Sequence, residues 1–194
     1  MGPLLSPDGV DRLFGIAEQS ILSGFNGGGV PPVDLAGMPG ELSTPCGVFV
    51  TLEVQGVLNG CIGTIEPADP LAVATAHNAF RAAFHDPRLP ALESTDWPDL
   101  IIEISLLSQL EEMNIHSEEE LMEALRPGID GLVLSSGPRR ATFLPVMWER
   151  LPSPGDFVHL LERKGGMPVG FWMRGMRAWR YTADGMARHA SPLD

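Results

Sequence analysis

The feature that most constrains the fold of this chain is a pair of apolar, strand-like segments separated by two residues. Residues 46–54 and 57–65 flank the dipeptide Gln55-Gly56. This spacing predicts a β-hairpin with a tight turn. The return strand carries Leu58-Asn59-Gly60-Cys61-Ile62-Gly63, in which one cysteine lies between two glycines. Because glycine lets other groups approach the backbone, this thiol is a candidate for reaction, for ligand binding or for packing in a core.

The face of the hairpin on which Cys61 lies decides between these roles. Side chains alternate across a strand, so a regular hairpin places Val50 opposite Cys61. If the face of Val50 forms the core, Cys61 is a small buried apolar group, as free cysteines usually are. If the face of Phe49 and Leu58 forms the core, Cys61 points into a groove beside Asn59. Both arrangements fit the sequence, and we favour the buried one.

Composition limits the classes of protein to which the chain can belong. Its 194 residues are sufficient for one sizeable core or for two small lobes. A net charge of −12 disfavours direct binding to nucleic acid, because the phosphate backbone is repelled. No apolar segment reaches membrane-spanning length. The two cysteines, Cys46 and Cys61, lie too far apart in the predicted hairpin for a disulfide, and their small number suits a reducing compartment. We therefore expect a cytoplasmic protein that does not enter a membrane.

The charges are unevenly distributed along the chain. Residues 93–123 contain many carboxylates and no lysine or arginine, whereas residues 163–188 are rich in arginine. This asymmetry has two explanations: it orients a partner protein, or it reflects an ordinary solvated surface.

Local signals predict an α+β fold with a largely antiparallel sheet flanked by helices. Apolar periodicity predicts a helix over residues 7–25, with Ser6 as its cap, and further helices over residues 70–85 and 154–164. Ser117-Glu118-Glu119-Glu120 is a capping box that predicts a short helix after it. Alternation predicts a strand over residues 100–107. Residues 131–135 and 140–144 are predicted to form a second hairpin, and residues 176–182 the final strand. Hairpins outnumber strand–helix–strand crossovers, which favours antiparallel pairing.

Several motifs occur in an order that resembles the AMMECR domain family, the A component of the AmmeMemoRadiSam system. They are Val48-Phe49-Val50-Thr51-Leu52, the Leu58–Gly63 segment, Asp86-Pro87-Arg88, Ile104-Ser105-Leu106-Leu107-Ser108, Gly131-Leu132-Val133-Leu134 and Arg140-Ala141-Thr142-Phe143-Leu144-Pro145. The resemblance covers about residues 8–183, so residues 1–194 are expected to form a single AMMECR-like domain. It implies an α+β fold with a larger and a smaller lobe, and the cysteine hairpin near a cleft between them.

The resemblance also implies partners. The family is found in genetic company with a Memo-like protein and a radical S-adenosylmethionine (radical SAM) protein, which implies a role in nucleotide or RNA modification. The family signature resembles Leu-Arg-Gly-Cys-Ile-Gly, and Asn59 stands here in place of the arginine. This departure removes the nearest cation that could stabilise a thiolate or hold an anionic ligand.

Other polar residues could complete a site around the cysteine. Asp86 and Arg88 either hold an anion or tie the end of a helix to the next loop, and Arg140 and Thr142 have the same two interpretations. Together, Arg88 and Arg140 could supply the positive charge that Asn59 lacks. The candidate catalytic residue is Cys61, and the candidate ligand-binding residues are Asn59, His77, Asp86, Arg88, Arg140 and Thr142.

No metal site is predicted, because no pair of histidines has the His-x-x-x-His spacing of a metal-binding helix. No cofactor is predicted either. The sequence leaves two functional classes open. One is an enzyme or enzyme subunit with Cys61 in its cleft, and the other is a non-catalytic module that binds a small molecule or a protein. The sequence does not decide whether the protein is an enzyme.

Overall fold

The structure is a computed structural model that describes residues 5–193. The helices are α1 (Pro7–Phe25), α2 (Leu71–Phe84), α3 (Glu118–Ala124) and α4 (Pro154–Lys164), with 3₁₀-helices at Ser94–Asp99 and Pro145–Glu149. The strands are β1 (Val48–Val54), β2 (Val57–Thr64), β3 (Leu100–Leu107), β4 (Glu111–Met113), β5 (Gly131–Ser136), β6 (Arg139–Phe143), β7 (Met176–Tyr181) and β8 (Ala183–His189). Within residues 5–193, none of the helices is both long and apolar enough to cross a membrane.

The chain divides into two compact units. Within the described residues, the first contains residues 5–107 together with residues 184–193. Its sheet has the order β2-β1-β3-β8, and β1 pairs antiparallel with both β2 and β3. Helix α2 packs on β1 and β2, and α1 packs on α2. The core between the helices and the sheet contains Leu13, Ile21, Ala79, Val50 and Ile104, all fully buried.

Polar contacts fix the helices of the first unit. The Ser6 hydroxyl accepts a hydrogen bond from the Gly9 N–H (3.1 Å), which caps α1, and Pro7 occupies the first turn. The buried Ser20 hydroxyl of α1 donates to a carbonyl oxygen of α2, that of Ala76 (2.7 Å). The Asn78 side chain of α2 donates to the carbonyl oxygen of Val48 on β1 (3.1 Å). These bonds satisfy buried polar groups and hold α1, α2 and the sheet together.

The second unit consists of residues 108–183. Its sheet has the order β4-β7-β5-β6, and β5 pairs antiparallel with β6 and β7. The core of this unit includes Leu132 and Leu134 of β5 and Leu161 of α4, and Phe157 of α4 stacks on Trp148 with 3.9 Å between ring centroids. Helices α3 and α4 contact each other.

Ion pairs join the acidic and basic segments of the sequence within the second unit. Arg177 binds Glu112 through two hydrogen bonds of 2.7 and 2.8 Å, and Arg180 binds Glu111 through two of 2.8 and 2.9 Å. These pairs lie between the neighbouring strands β4 and β7. Part of the charge asymmetry is therefore internal to this sheet.

The α+β class and the antiparallel pairing are confirmed, as are the four predicted helices and both predicted hairpins. Two strands are missing from the prediction. The three-residue β4 consists of Glu111, Glu112 and Met113, and β8 is a mostly exposed strand that contains Asp184 and Gly185. Neither has the alternating apolar pattern that identifies a strand. Because β8 follows residue 182, the prediction that residues 176–182 form the final strand is wrong.

A glycine-to-alanine pair tests how closely β2 packs on α2. A Cβ atom at Gly60 would overlap with the carbonyl oxygen of Ala82 on α2. We expect Gly60→Ala to lower the free energy of unfolding by about 1–3 kcal/mol, because the backbone of one element must move. Chemical denaturation measures this change.

The matched control is Gly15→Ala in the interior of α1. No atom lies within 4 Å of a Cβ placed at Gly15, and alanine loses less backbone entropy than glycine in a helix. We expect the free energy of unfolding to rise by about 0.5–1 kcal/mol. Equal effects of the two substitutions would contradict the close contact at Gly60.

Candidate functional site

Cys61 lies on the face of the first unit's sheet that α1 and α2 do not cover. Cys61 is half-buried and pairs with Thr51 on the neighbouring strand β1. Thr51 in turn pairs with Glu103 on β3. Side chains of directly paired residues lie on the same face of a sheet. Thiol, hydroxyl and carboxylate therefore form a row across three strands. The Thr51 hydroxyl donates to Cys61 Sγ (3.3 Å), which orients the sulfur.

A β-bulge explains why Cys61 is not in the core. The predicted turn at Gln55-Gly56 is correct, but the register shifts between Glu53, which pairs with Leu58, and Leu52, which pairs with Gly60. Asn59 is the extra residue of this bulge. A one-residue shift moves every later side chain of β2 to the opposite face. The predicted opposition of Val50 and Cys61, and the buried position that we favoured for the thiol, are therefore wrong.

The core nevertheless lies on the face of Val50, as expected for the arrangement with a buried cysteine. Val48, Val50 and Leu52 point into the core and are fully buried. On β2 their partners are Thr64, Ile62 and Gly60 rather than the cysteine. The Asn59 side-chain oxygen is buried and has no hydrogen-bond partner among residues 5–193.

An aspartate–arginine pair holds the backbone of Cys61. Strand β2 is an edge of its sheet, and in an antiparallel pair every second residue directs its N–H and C=O away from the partner strand. The Cys61 N–H donates to Asp86 Oδ2 (3.0 Å), and Arg88 Nη2 donates to the Cys61 carbonyl oxygen (2.9 Å). The loop after α2 thus takes the place of a neighbouring strand at this residue.

The same pair is held together by charge-assisted hydrogen bonds. Arg88 Nε donates to Asp86 Oδ1 (2.9 Å) and Nη2 to Oδ2 (2.6 Å). The hydrogen bond from Arg88 holds the pKa of Asp86 well below its usual range. The pKa of Arg88 is raised, mainly by its hydrogen bond to Asp86. Asp86 and Arg88 therefore hold the Cys61 peptide group, with the guanidinium bound to the carbonyl oxygen of the cysteine. Their ligand-binding roles stay predictions.

His77 is a further predicted ligand-binding residue of the first unit. His77 is exposed on α2, and no hydrogen bond or ion pair between described residues joins it to Cys61, Asp86 or Arg88. Its role as a ligand-binding residue, like that of Asn59, stays a prediction.

Arg140 and Thr142 lie on β6 in the second unit. The Arg140 guanidinium lies over the ring of Trp179, 5.2 Å from its centroid. The Thr142 hydroxyl forms hydrogen bonds with the carbonyl oxygen of Leu132 and the hydroxyl of Tyr181. Both side chains thus have partners within their own sheet, and their predicted ligand-binding role stays a prediction.

Thr51 and Glu103 are absent from the sequence-based set of site residues. Each lies in a segment whose strand was predicted, but their alignment with Cys61 depends on the bulge at Asn59. A hairpin in which Asn59 is looped out would have placed Thr51 opposite Cys61, so the only available signal was the Asn-Gly pair within the strand.

Comparison with known proteins identifies the family. A sequence model described as AMMECR1 matches residues 14–186. The chain belongs to the AMMECR1 family. An AMMECR1-family relative from Methanothermobacter thermautotrophicus is 40% identical over 139 residues, which cover 71% of this chain and 72% of the relative. A protein of Thermofilum pendens is 34% identical over 165 residues, which cover 79% of this chain and 76% of that protein.

A solved structure shares the fold. The crystal structure of an uncharacterized protein from Pyrococcus horikoshii has a TM-score of 0.81 and 28% sequence identity, covering 92% of this chain and 90% of that one. The resemblance inferred from the ordered motifs is therefore confirmed at the level of family and fold.

Removing the Asp86 carboxylate tests the pair that holds Cys61. We expect Asp86→Asn to lower the free energy of unfolding at pH 7 by about 1.5–3 kcal/mol, because charge-assisted hydrogen bonds are lost. Since the pKa of Asp86 is lower in the folded protein, its stabilising effect is complete above the unfolded-state pKa of about 4 and declines as the pH falls below it. Denaturation curves between pH 7 and pH 2 should show that wild type and variant differ less in free energy of unfolding as the pH falls.

The control is Asp11→Asn. Asp11 contacts Arg188 at the surface (2.6 Å), with both side chains largely exposed. Such pairs contribute about 0–1 kcal/mol. A similar, pH-independent effect of both substitutions would contradict the role assigned to Asp86.

Proposed function

We propose that this AMMECR1-family protein is an enzyme or an enzyme subunit in which the Cys61 thiol contacts the substrate and Arg88 holds an anionic group of it. The observation that supports this proposal is the position of the thiol, half-buried on the sheet face that the helices leave uncovered, with the Arg88 guanidinium bound to the carbonyl oxygen of the same residue. Cys61 acts as the nucleophile or as the direct ligand contact.

Arg88 retains the capacity to bind an anion, although Asp86 occupies one edge of its guanidinium group. Asp86 uses Nε and Nη2, and Nη2 also bonds to the Cys61 carbonyl oxygen. Among the described residues, nothing forms a hydrogen bond with Nη1, and the side chain is 61% exposed. Two N–H groups thus remain for a carboxylate or a phosphate, while Asp86 fixes the orientation of the guanidinium plane. This arrangement replaces the cation that Asn59 does not supply.

The partners proposed for this reaction are a Memo-like protein and a radical SAM protein, and the process is nucleotide or RNA modification in the cytoplasm. The genetic company implied by the family resemblance supports this part of the proposal. The anion-holding arginine fits a small phosphate-bearing molecule. The net charge of −12 disfavours a direct grip on a nucleic-acid polymer, so the partners would contact any RNA. In this proposal residues 1–194 act as a single domain.

A second candidate is a non-catalytic module that binds a small molecule or a protein. One observation favours it: in the described part of the chain, the sulfur of Cys61 accepts a hydrogen bond from the neutral Thr51 hydroxyl, and no histidine bonds to it. A thiol nucleophile usually has a base or a cation in contact with its sulfur. Under this alternative the same residues bind the ligand without forming a bond to it.

Alkylation with reagents of different charge tests the anion-holding role. Iodoacetate carries the charge that the site is proposed to bind, and iodoacetamide is its neutral counterpart. In a Cys46→Ser background, which leaves one thiol, we expect Arg88→Gln to lower the ratio of iodoacetate to iodoacetamide rates at Cys61 by about fivefold, corresponding to ~1 kcal/mol between charges about 4 Å apart in water. Mass spectrometry of the labelled peptide measures both rates.

Two further variants define the result. Arg12→Gln removes an exposed guanidinium from α1 and should leave the ratio unchanged. Arg88→Lys keeps the charge but cannot bind Asp86 and Cys61 through the same planar group, so it should retain part of the preference for iodoacetate. If Arg88→Gln and wild type have the same ratio, Arg88 has only the structural role and the proposed site is wrong.

Reconstitution with the Memo-like and radical SAM proteins of the same genome separates the enzyme from the binding module. If Cys61 is catalytic, Cys61→Ser should abolish product formation while the complex still assembles, because serine is a much weaker nucleophile. Product formation that survives the substitution would favour the non-catalytic module. Mass spectrometry of the small-molecule fraction and size-exclusion chromatography supply the two readouts.

A further inference from the structure

The second unit contains a cluster of metal-ligating side chains that the thiol site does not use. Glu118 is the first residue of α3, and His159 and Glu162 lie on α4. His159 and Glu162 are three residues apart, so they point from the same side of the helix. One potential ligand atom from each of the three residues lies within 4.8 Å of the other two.

Two carboxylate oxygens of this cluster are buried without a hydrogen bond. Glu162 is fully buried; its Oε2 accepts from the Gly170 N–H (3.1 Å), whereas its Oε1 has no partner among the described residues. Glu118 Oε1 lies 2.6 Å from His159 Nε2, but it is out of line for a hydrogen bond and also lacks a donor. Buried polar atoms are rarely left unpaired, so each of these oxygens calls for a positively charged or hydrogen-bonding neighbour.

A cation is the neighbour that best matches this electrostatic environment. Glu162 is fully buried, and a carboxylate oxygen of Glu118 lies within 4.8 Å of one of its oxygens. No lysine or arginine forms an ion pair with Glu162 in the part of the chain that the structure describes. Two like charges in a poorly hydrated site are costly unless a proton or a metal ion compensates them.

We propose that Glu118, His159 and Glu162 bind a divalent transition-metal ion. An imidazole with two carboxylates is a donor set that suits Zn²⁺, Mn²⁺, Fe²⁺ or Co²⁺ better than Ca²⁺ or Mg²⁺, which prefer oxygen ligands alone. Three protein ligands leave at least one coordination position for water or another ligand.

The surroundings of the cluster give an ion a route from solvent and hold one of the ligands in place. The His159 side chain is 37% exposed, so an ion can reach the cluster along this side chain. Gly170 has a φ of +80°, which favours glycine, and directs its N–H to Glu162. A hydrogen bond of this kind orients a ligating carboxylate and leaves its other oxygen for the metal.

Titration of the full chain with Co²⁺, after removal of metals with a chelator, tests the proposal. We expect one tight site per chain by calorimetry, with visible d–d absorption and without the charge-transfer band of a cobalt–thiolate bond. Glu162→Gln should weaken binding at least about 100-fold, since even residues that only orient a ligand cost 10–100-fold. Glu119→Gln, which removes an exposed carboxylate from the same turn of α3, should leave the affinity unchanged.

A second variant guards against a folding defect at the buried position. His159→Asn changes a partly exposed side chain and should also weaken Co²⁺ binding, with an unchanged circular dichroism spectrum. Three results would overturn the proposal: no binding by the wild type, equal affinities of Glu162→Gln and Glu119→Gln, or a thiolate band that disappears with Cys46→Ser or Cys61→Ser. The last result would place the ion at a cysteine.

Discussion

The close approach of Gly60 to α2 determines the geometry of the thiol site. Because the carbonyl oxygen of Ala82 occupies the space of a Cβ atom, β2 must present a glycine to the helix at this point. With Gly60 facing the helix, Asn59 is looped out as the extra residue of a bulge and Cys61 faces the opposite side. Gly60 thus acts through the backbone, and the exposure of the thiol is a consequence of helix packing.

The bulge also accounts for the position of the charged pair. On β2 it sets which residues direct their peptide groups outward, and Cys61 is the residue whose N–H and C=O meet Asp86 and Arg88. The loop that begins after α2 can reach this edge because α2 itself lies on β2. One packing contact therefore positions a sulfur, a carboxylate and a guanidinium that are far apart in the sequence.

Elements with strong local signals could be predicted, and those defined by tertiary contacts could not. The hairpin turn at Gln55-Gly56, the cap at Ser6 and the alternation of residues 100–107 each depend on neighbouring residues, and all three predictions are confirmed. The short strand β4 and the exposed strand β8 are strands only because other strands pair with them. The bulge was missed because strict alternation was assumed, and this one residue reversed the face assigned to Cys61.

The cluster in the second unit was missed for a related reason. A search for paired histidines finds no metal site, whereas the cluster combines one histidine with two glutamates from different helices. His159 and Glu162 had a recognisable spacing, but the third member, Glu118, is brought to them only by the contact of α3 with α4.

The pair of Asp86 and Arg88 has a consequence for behaviour at high concentration. An unpaired edge strand can recruit a strand from a second molecule and so start aggregation. At Cys61, the backbone groups that such a strand would need are already bound to charged side chains. An approaching molecule meets an ion pair there instead of free peptide groups, so the residues that frame the thiol also protect this edge from intermolecular β-sheet growth.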